Sequence, residues 1–510
     1  MIAGGPIVSP AATASHGHLL VFAIVLPVLG ALASLLAGGR WPARIALSTT
    51  PFGLAVAIAI AVSVCRSGRV LDYVIGGWAP PLGIALRADG LSALMVLTAA
   101  VLIIGIGLFA YAQFSAPAGT EARGSSVFWT LLLAVWAGLN AVFLGGDLFT
   151  LFVALELLTF AAVPLVCLDG QADTLAAALR YLLFALLGSV LYLLGTMLLY
   201  GGYGTLDILL LADRVRPGPI AWAALALMSA GLLAKAALYP LHLWLPPAHA
   251  GAPAPASAVL SGLVVKAPFF LMVRLWFDVM PGAADQAAAQ LLGGLATAAI
   301  LIGSVVALRQ TRLKLLVAYS TVAQIGYLFL MFPLAGGVPA IHPWGATAWT
   351  GGALQAVSHA FAKAAMFMAA GLIYEALGHD RISDLAGIGR ALPVTVFAFG
   401  IGGASLMGLP PSGGFVAKAL LLTAAVAAGQ WWWAVVVLTG GLLAGGYVFL
   451  VLTRALAEPQ APIKLQKRVG GGRQSIALML ALAAVLLGFV PLRPWAVLLI
   501  GRPASASAGL

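Results

Sequence analysis

The chain has 510 residues, of which 62% are hydrophobic and only 8% charged, with a formal net charge of +11 and a mean hydropathy of +1.08. A soluble protein of this length needs far more charge to cover its surface, so composition excludes a soluble globular domain and points to a membrane protein whose exterior is solvated by lipid. Two cysteines, Cys65 and Cys167, give no disulfide framework. The arginines are scattered over short loops rather than gathered on one face, which excludes a nucleic-acid footprint.

A helix crosses the hydrocarbon core in about 20 residues. Apolar runs of that kind start near His18, Ile45, Leu91, Val127, Leu148, Ala176, Ala221, Pro255, Ala288, Leu313, Ala346, Leu392, Trp431 and Gln474. They predict an all-α polytopic membrane protein of about fourteen transmembrane helices. The stretch Met1 to Gly17 lacks a basic n-region, so the first run reads as a retained helix rather than a cleaved signal. Of the 26 Lys and Arg, more fall in loops on one side than on the other; the richer side includes Arg40, Arg44, Arg309, Arg312, Lys314, Arg454, Lys464, Lys467, Arg468 and Arg473. The positive-inside rule makes that side cytoplasmic and places both termini on the outer side of a bacterial-type inner membrane.

Two spans are predicted to be broken. The seventh meets Pro240, and "LMGLPPSGGFVAKALLL" (Leu406 to Leu422) interrupts the twelfth with Pro410, Pro411, Gly413 and Gly414. Unwound backbone at membrane depth is tolerated only where it is buried in protein or lines a wet cavity. Each break lies near a lysine, Lys235 or Lys418, and the two breaks are five spans apart, an odd interval that inverts a second copy. The expected organisation is therefore three N-terminal helices (1–126), a first five-helix repeat (127–278, helices 4–8), a second, inverted repeat (279–455, helices 9–13), and a cytoplasmic loop with the fourteenth helix (456–510).

The charges inside the spans carry the functional signal. Glu156 is alone between Leu148 and Cys167, and Lys235, Lys266, Lys363 and Lys418 are similarly isolated. A charge at the bilayer centre costs about 2.5–3.5 kcal/mol on insertion scales, so five such groups cost on the order of 10 kcal/mol or more unless they face one another or water. One reading is a static ion pair plus lysines that snorkel to an interface, to which Lys266 and Lys418 are close enough. The other is proton handling: burial lowers a lysine's proton affinity, a nearby carboxylate raises it again, and a lysine moving relative to Glu156 changes affinity without a cofactor.

Histidines join this second reading because they titrate near neutrality. "SHAFAKAAMF" puts His359 and Lys363 four residues apart on one helix face, and His242 and His249 flank the Pro-rich segment between the seventh and eighth spans. Any one of them alone is as well read as a hydrogen-bonded structural residue. Asp147, at a span end after "LGG", reads as a helix cap or an interface residue. Tyr319, Ser320 and Gln324 in "AYSTVAQIGY" either hold water along a path or make interhelical hydrogen bonds.

What the sequence lacks narrows the chemistry. It has no GxxxxGKS or GxxxxGKT phosphate loop, no cysteine cluster for an iron–sulfur centre and no histidine pair at haem-binding spacing. No metal or cofactor is expected in this chain, and any redox carriers belong to other chains. Enzymatic standing would come only through membership of a redox-driven translocase.

The motifs "ALRADGLSALMVL", "GDLFTLFVALELL", "LLYGGYGTLDI", "AKAALYPLHLWLPPAHAGAPAPASAVLSGLVVK", "LLVAYSTVAQIGY", "SHAFAKAAMFMAAG" and "GLPPSGGFVAKALLL" occur in this order. Together they resemble the antiporter-like membrane subunits shared by Mrp-type multisubunit Na+/H+ antiporters, respiratory complex I and membrane-bound energy-converting hydrogenases. The resemblance implies that Glu156 is the fifth-helix glutamate paired with Lys235, that Lys266 is the central carrier of the eighth helix, and that His359 and Lys363 form the eleventh-helix step. Lys418 then matches the twelfth-helix terminal group, and all six would lie on one hydrated axis. The lysine at the twelfth span and "GDLFTLFVALELL" are similar to the D-type branch of Mrp subunits and the quinone-proximal complex I type. The length leaves no room for the long lateral helix of the largest complex I paralogue. Two positions depart from the pattern: Arg312, where an acidic residue is expected, and Thr150, where the Mrp branch commonly has asparagine.

The expected function is a proton-translocating, antiporter-like subunit of a multisubunit complex, most simply Mrp-type monovalent cation/H+ antiport with H+ and Na+ or K+ as the ions. The alternative is a proton-pumping subunit of a complex I-like NADH:quinone oxidoreductase or a membrane-bound hydrogenase. Two further classes compete: a module contributing to a quinone site, which the missing redox ligands disfavour, and a scaffold that has lost transport, which five costly charges disfavour. Either main reading requires other membrane subunits as partners.

Overall fold

In a computed structural model of the chain, residues 16–115, 123–335, 343–459, 465–491 and 493–501 are described; Lys464 and residues 1–15 lie outside them. Among the described residues, thirteen helices are long and apolar enough to cross a membrane, from His18–Leu36 to Gly471–Phe489. The remaining predicted span, the twelfth, is made of two 15-residue helices, Pro393–Met407 and Gly413–Ala427. At 1.5 Å per residue each half is about 22 Å long, too short to cross a core about 30 Å thick by itself. The chain is a multi-pass membrane protein, and among the described residues its regular structure is helical apart from one antiparallel ribbon. The ribbon pairs Leu71–Val74 with Ala85–Ala88 between the second and third spans; its strands are four residues each, too short to register in a search for apolar runs.

The spans are not equivalent. The most apolar stretches of the eighth (Ala254–Val279) and eleventh (Gly345–Leu377) are enclosed by the other spans, whereas the first, second, thirteenth and fourteenth show most of their surface outward. The enclosed spans are the ones that carry Lys266, His359 and Lys363. The interior of this bundle is thus where the isolated charges collect, and its outside is apolar, as lipid requires.

Both predicted breaks are present. The seventh span, Pro219–Ala236, stops at Ala237, which adopts φ 56°. The Leu238 N–H then bonds the Leu233 carbonyl at 3.1 Å, a Schellman-type closure. The chain resumes in the short helix Leu245–Gly251. Pro240 cannot supply the N–H that a continuing helix would need, so the break is written in the sequence. A further irregularity has no counterpart in the sequence pattern: the eighth span is wound π-fashion at Leu260–Val264 and again at Arg274–Val279.

The sixth span, Ala172–Tyr203, crosses the seventh at unusually close range. A Cβ on Gly231 would lie 2.3 Å from the Gly188 carbonyl oxygen, and a Cβ on Gly188 would lie 2.6 Å from the Gly231 oxygen. Small residues at such a crossing let two backbones touch. Here the contact places Ser189 and Lys235 beside the fifth span.

A second buried cluster ties the N-terminal helices to the eighth span. Arg274 donates to both Asp89 oxygens at 2.6 and 2.8 Å, to Ser92 Oγ at 2.9 Å and to Asp278 at 2.8 Å. Asp89 also caps the third span by accepting the Ser92 N–H. Burial by itself would raise the Asp89 carboxyl; the facing Arg274 guanidinium more than reverses this and holds the group below the ordinary carboxylate range. Its contribution to stability is therefore present above the usual carboxylate pKa and lost as pH falls through the lowered value.

Two outcomes are expected in thermal unfolding of the detergent-solubilised protein. Gly231→Ala overpacks a backbone contact and destabilises by about 1–3 kcal/mol, while Gly201→Ala on the same sixth span as Gly188, where a Cβ meets nothing within 4 Å, is neutral or slightly stabilising. Asp89→Asn leaves Arg274 short of its bidentate partner and costs about 3–5 kcal/mol, the usual effect of breaking one side of a buried pair.

Candidate functional site

The fifth span, Leu148–Val166, begins at Asp147, whose carboxylate accepts the backbone N–H groups of Phe149 and Thr150. Of the two readings of Asp147, helix capping is the one realised. Two and a half turns further on is Glu156. Ser189 of the sixth span donates a hydrogen bond to Glu156 Oε1. Lys235 Nζ donates to the same oxygen at 3.1 Å and to Thr159 Oγ1 at 2.9 Å. The pair is largely enclosed, with side-chain exposures of 5% for Lys235 and 18% for Glu156. Lys235 is also in the last turn of the broken seventh helix, where free carbonyls carry partial negative charge that favours a cation.

Lys266 and Lys363 have no surface exposure, and neither has a carboxylate partner among the described residues. Lys266 Nζ donates to the Ser261 carbonyl. That carbonyl is available because the π turn sends the Val265 N–H to Leu260 at 3.3 Å instead of to Ser261, its α-helical target. Ser261 Oγ meets Thr321 Oγ1 at 3.0 Å, and Thr321 donates to the Val317 carbonyl, also at 3.0 Å. Lys363 Nζ donates to that same Val317 carbonyl at 2.9 Å and to Ser320 Oγ. The eighth, tenth and eleventh spans are thus joined by one polar chain running from Lys266 to Lys363.

One turn beyond Ser320, Gln324 donates to the Leu406 carbonyl at 3.1 Å and accepts from Gln355 Nε2 at 3.0 Å. Lys418 Nζ donates to the same Leu406 carbonyl and sits 4.1 Å over the Tyr327 ring. Leu406 is in the last turn of the first half of the twelfth span, so the break leaves its carbonyl free for side-chain donors. Lys418 is 6% exposed and does not snorkel outward. Ser358 and Ser405 join the eleventh and twelfth spans directly at 2.9 Å.

His359 is buried, and neither ring nitrogen makes a hydrogen bond to a described residue. It lies within electrostatic reach of Lys266, Lys363 and Lys418. His249 is likewise buried without a hydrogen bond and stacks on Phe367 at 4.5 Å. His242 stacks on Tyr239 at 5.3 Å and has Tyr319 edge-on at 6.5 Å. Glu156 is brought to Lys235; Lys266 and Lys363 are joined through one set of polar groups, and Gln324 and Lys418 share the Leu406 carbonyl. Among the described residues no direct hydrogen bond joins the first pair to that set.

Several partners escape the sequence reading. Thr159, Ser189, Ser261 and Thr321 do so because single hydroxyls in apolar runs are common in membrane helices; Thr159 and Ser261 alone carry a signal, a place within a turn and a half of Glu156 and Lys266. Arg274 and Asp278 escape it too, although an i,i+4 pair of opposite charges inside an apolar run marks a buried network. Arg312, where an acidic residue is expected, bonds Asp380 Oδ1 at 2.9 Å, so the loop before the tenth span is tied to the loop after the eleventh.

Comparison with known proteins identifies the family. Residues 145–444 match the model of the family described as NADH:quinone oxidoreductase/Mrp antiporter, TM. The chain is 32% identical over 482 residues to the N-type subunit of NADH-quinone oxidoreductase from Desulforudis audaxviator, covering 91% of this chain and 92% of that one. It is 26% identical to the D-type subunit of the Na(+)/H(+) antiporter from Bacillus subtilis, with 79% of each chain covered. Among solved structures, a chain of the Mrp complex from Dietzia sp. DQ12-45-1b superposes with a TM-score of 0.84 at 26% identity, covering 97% of this chain and 99% of that one. The chain therefore belongs to the NADH:quinone oxidoreductase/Mrp antiporter membrane-subunit family and is an antiporter-like subunit of an Mrp- or complex I-like assembly, whose partners are other membrane subunits.

Proposed function

We propose that this subunit moves protons along an axis that starts at the Glu156–Lys235 pair, passes Lys266, His359 and Lys363, and ends at Lys418. The observation that carries this reading is the set of buried ammonium groups held by single carbonyls and hydroxyls rather than by fixed carboxylates. A static scaffold would gain nothing from them, whereas an amine bonded to a neutral acceptor can release its proton and keep its place. Among the described residues Lys235 is the one lysine of the axis with a carboxylate partner, so its proton affinity follows its distance from Glu156. This reading requires water between Lys235 and Lys266, since no hydrogen bond among the described residues spans that stretch.

In this reading residues 127–278 and 279–455 are two inverted five-helix units, each with a broken helix beside a lysine. The Lys- and Arg-rich loops face the cytoplasm of a bacterial-type inner membrane, and both termini face outward. The chain needs no cofactor of its own. Mrp-type exchange of H+ for Na+ or K+ is the main reading, favoured by the near-complete superposition on the Mrp chain. Redox-driven pumping in a complex I-like assembly is the second, favoured by 32% identity over nearly the whole length of an N-type oxidoreductase subunit.

Proton flux in vesicles containing the assembled complex tests the axis. Glu156→Gln and Lys235→Ala are each expected to cut flux by about a hundredfold, the scale of a lost proton-transfer group; unchanged flux in both leaves only a scaffold. Lys418→Ala is expected to uncouple flux while the complex still assembles, because Gln324 remains on the Leu406 carbonyl. Loss of the assembled complex on gel filtration would contradict that.

A further inference from the structure

The connections on the Lys- and Arg-rich face hold two arginines that the transport reading leaves unused. Arg312, just before the tenth span, and Arg381, just after the eleventh, oppose each other in an isolated antiparallel bridge. The Leu313 N–H bonds the Asp380 carbonyl at 2.7 Å, and the Ile382 N–H bonds the Thr311 carbonyl at 2.9 Å. Those two bonds flank the arginines, which therefore form the non-hydrogen-bonded kind of antiparallel pair, with Cα atoms about 4.5 Å apart and side chains on one face. Like charges placed directly opposite in this way repel.

A single carboxylate faces the two guanidinium groups, and it is already engaged. Asp380 Oδ1 accepts from Arg312 Nε at 2.9 Å, and Oδ2 accepts the Lys314 backbone N–H at 3.2 Å. The other acids nearby are occupied as well. Asp384 accepts from Ser383 Oγ at 2.6 Å, and Glu375 holds Lys467 at 2.7 Å and Arg473 at 2.6 Å. Among the described residues, Arg381 has no ion pair and Arg312 has none beyond Asp380. Arg309, one turn before Arg312, is exposed and adds a third positive charge.

These groups surround a cavity of about 520 Å3, whose lining includes Thr311, Arg312, His379, Arg381 and Ser383. His379 Nδ1 is buried with no hydrogen bond to a described residue. Donors dominate this space, and two neighbouring guanidinium forks suit a planar oxyanion that accepts from both. The tenth and eleventh spans, whose ends frame the cavity, lie inside the bundle. It therefore opens to water rather than to the bilayer, which sets aside a lipid headgroup. The formal charge of +11 and the basic character of this face steer an acidic segment toward it. The family resemblance places an acidic residue at position 312, so the arginine pair is a departure of this chain from its family's pattern.

We propose that Arg312 and Arg381 form a docking site for a carboxylate side chain on a segment of a partner subunit, which enters the 520 Å3 cavity and bridges the two guanidinium groups. The carboxylate supplies the missing countercharge and relieves the repulsion across the bridge. Docking of this kind is independent of the proton axis, so either can fail while the other stands.

The test compares wild type, Arg381→Glu and Arg381→Lys in two measurements: thermal unfolding of the isolated chain in detergent, and recovery of the assembled complex after co-expression. Arg381→Glu replaces a like-charged contact with an opposite one. The isolated variant is expected to unfold at the same temperature as wild type or higher, while recovery of the complex falls about tenfold, the scale of one lost charge-assisted contact. Arg381→Lys keeps the charge and is expected to assemble normally. Treating that complex with a zero-length carbodiimide is expected to give an amide bond between position 381 and an Asp or Glu of another chain, identified by peptide mass spectrometry. Normal recovery of the Arg381→Glu complex overturns the proposal, as does a lower unfolding temperature of the isolated variant or a cross-link confined to this chain's own Asp384. Inorganic phosphate raising the unfolding temperature of wild type but not of Arg381→Glu, with assembly unaffected by the substitution, would assign the cavity to a soluble anion and likewise overturn the docking.

Discussion

An ammonium group inside an enclosed helical bundle must find an acceptor, and the backbone of a regular helix offers few, because its carbonyls are already engaged. This constraint organises the protein. Lys266 has a carbonyl because the eighth span is wound wide just before it. Lys418 has one because the twelfth span stops at Met407 and leaves Leu406 in its last turn. Lys235 occupies the last turn of a helix that ends at Ala236. At Lys266 and Lys418 the helix irregularity and the lysine are one feature, since the interruption frees the carbonyl that the ammonium group takes.

The polar groups between the lysines are neutral. Ser261, Thr321, Ser320, Gln324 and Gln355 link the eighth, tenth and eleventh spans with hydroxyls and amides, and among the described residues Glu156 is the single carboxylate bonded to a lysine of the set. Carboxylates in place of the hydroxyls would fix the ammonium groups in buried pairs that are strongly disrupted when one partner changes charge. Neutral acceptors hold the amine more weakly, at the roughly 1 kcal/mol typical of a net hydrogen bond to an uncharged group. The contrast with the Arg274 cluster is direct: there two carboxylates clamp one guanidinium, a group that stays charged at any relevant pH.

Much of this is legible in the chain itself. The spans follow from runs of apolar residues, the breaks from Pro240 and from Pro410 with its glycines, and the buried charges from their isolation. The family likeness follows from ordered motifs and is matched by the comparisons. The π turns are not legible, because "AVLSGLVVK" reads as ordinary helix and nothing local in it marks the change of winding. The Arg274 network joins residues 185 apart in sequence, and no local pattern pairs them. Asp147 is ambiguous between two roles in the sequence because the N-cap of the fifth span is defined by backbone angles that composition does not encode.

The Leu406 carbonyl has two lone pairs, and Gln324 and Lys418 take one each. An amine that gives up its proton can turn its own lone pair elsewhere, while the amide cannot. The oxygen therefore never stands bare when the terminal group changes state, and the interrupted twelfth helix has no incentive to rewind. The gap in that helix is held open by a neutral side chain, so it survives every charge state of the residue it exists to serve.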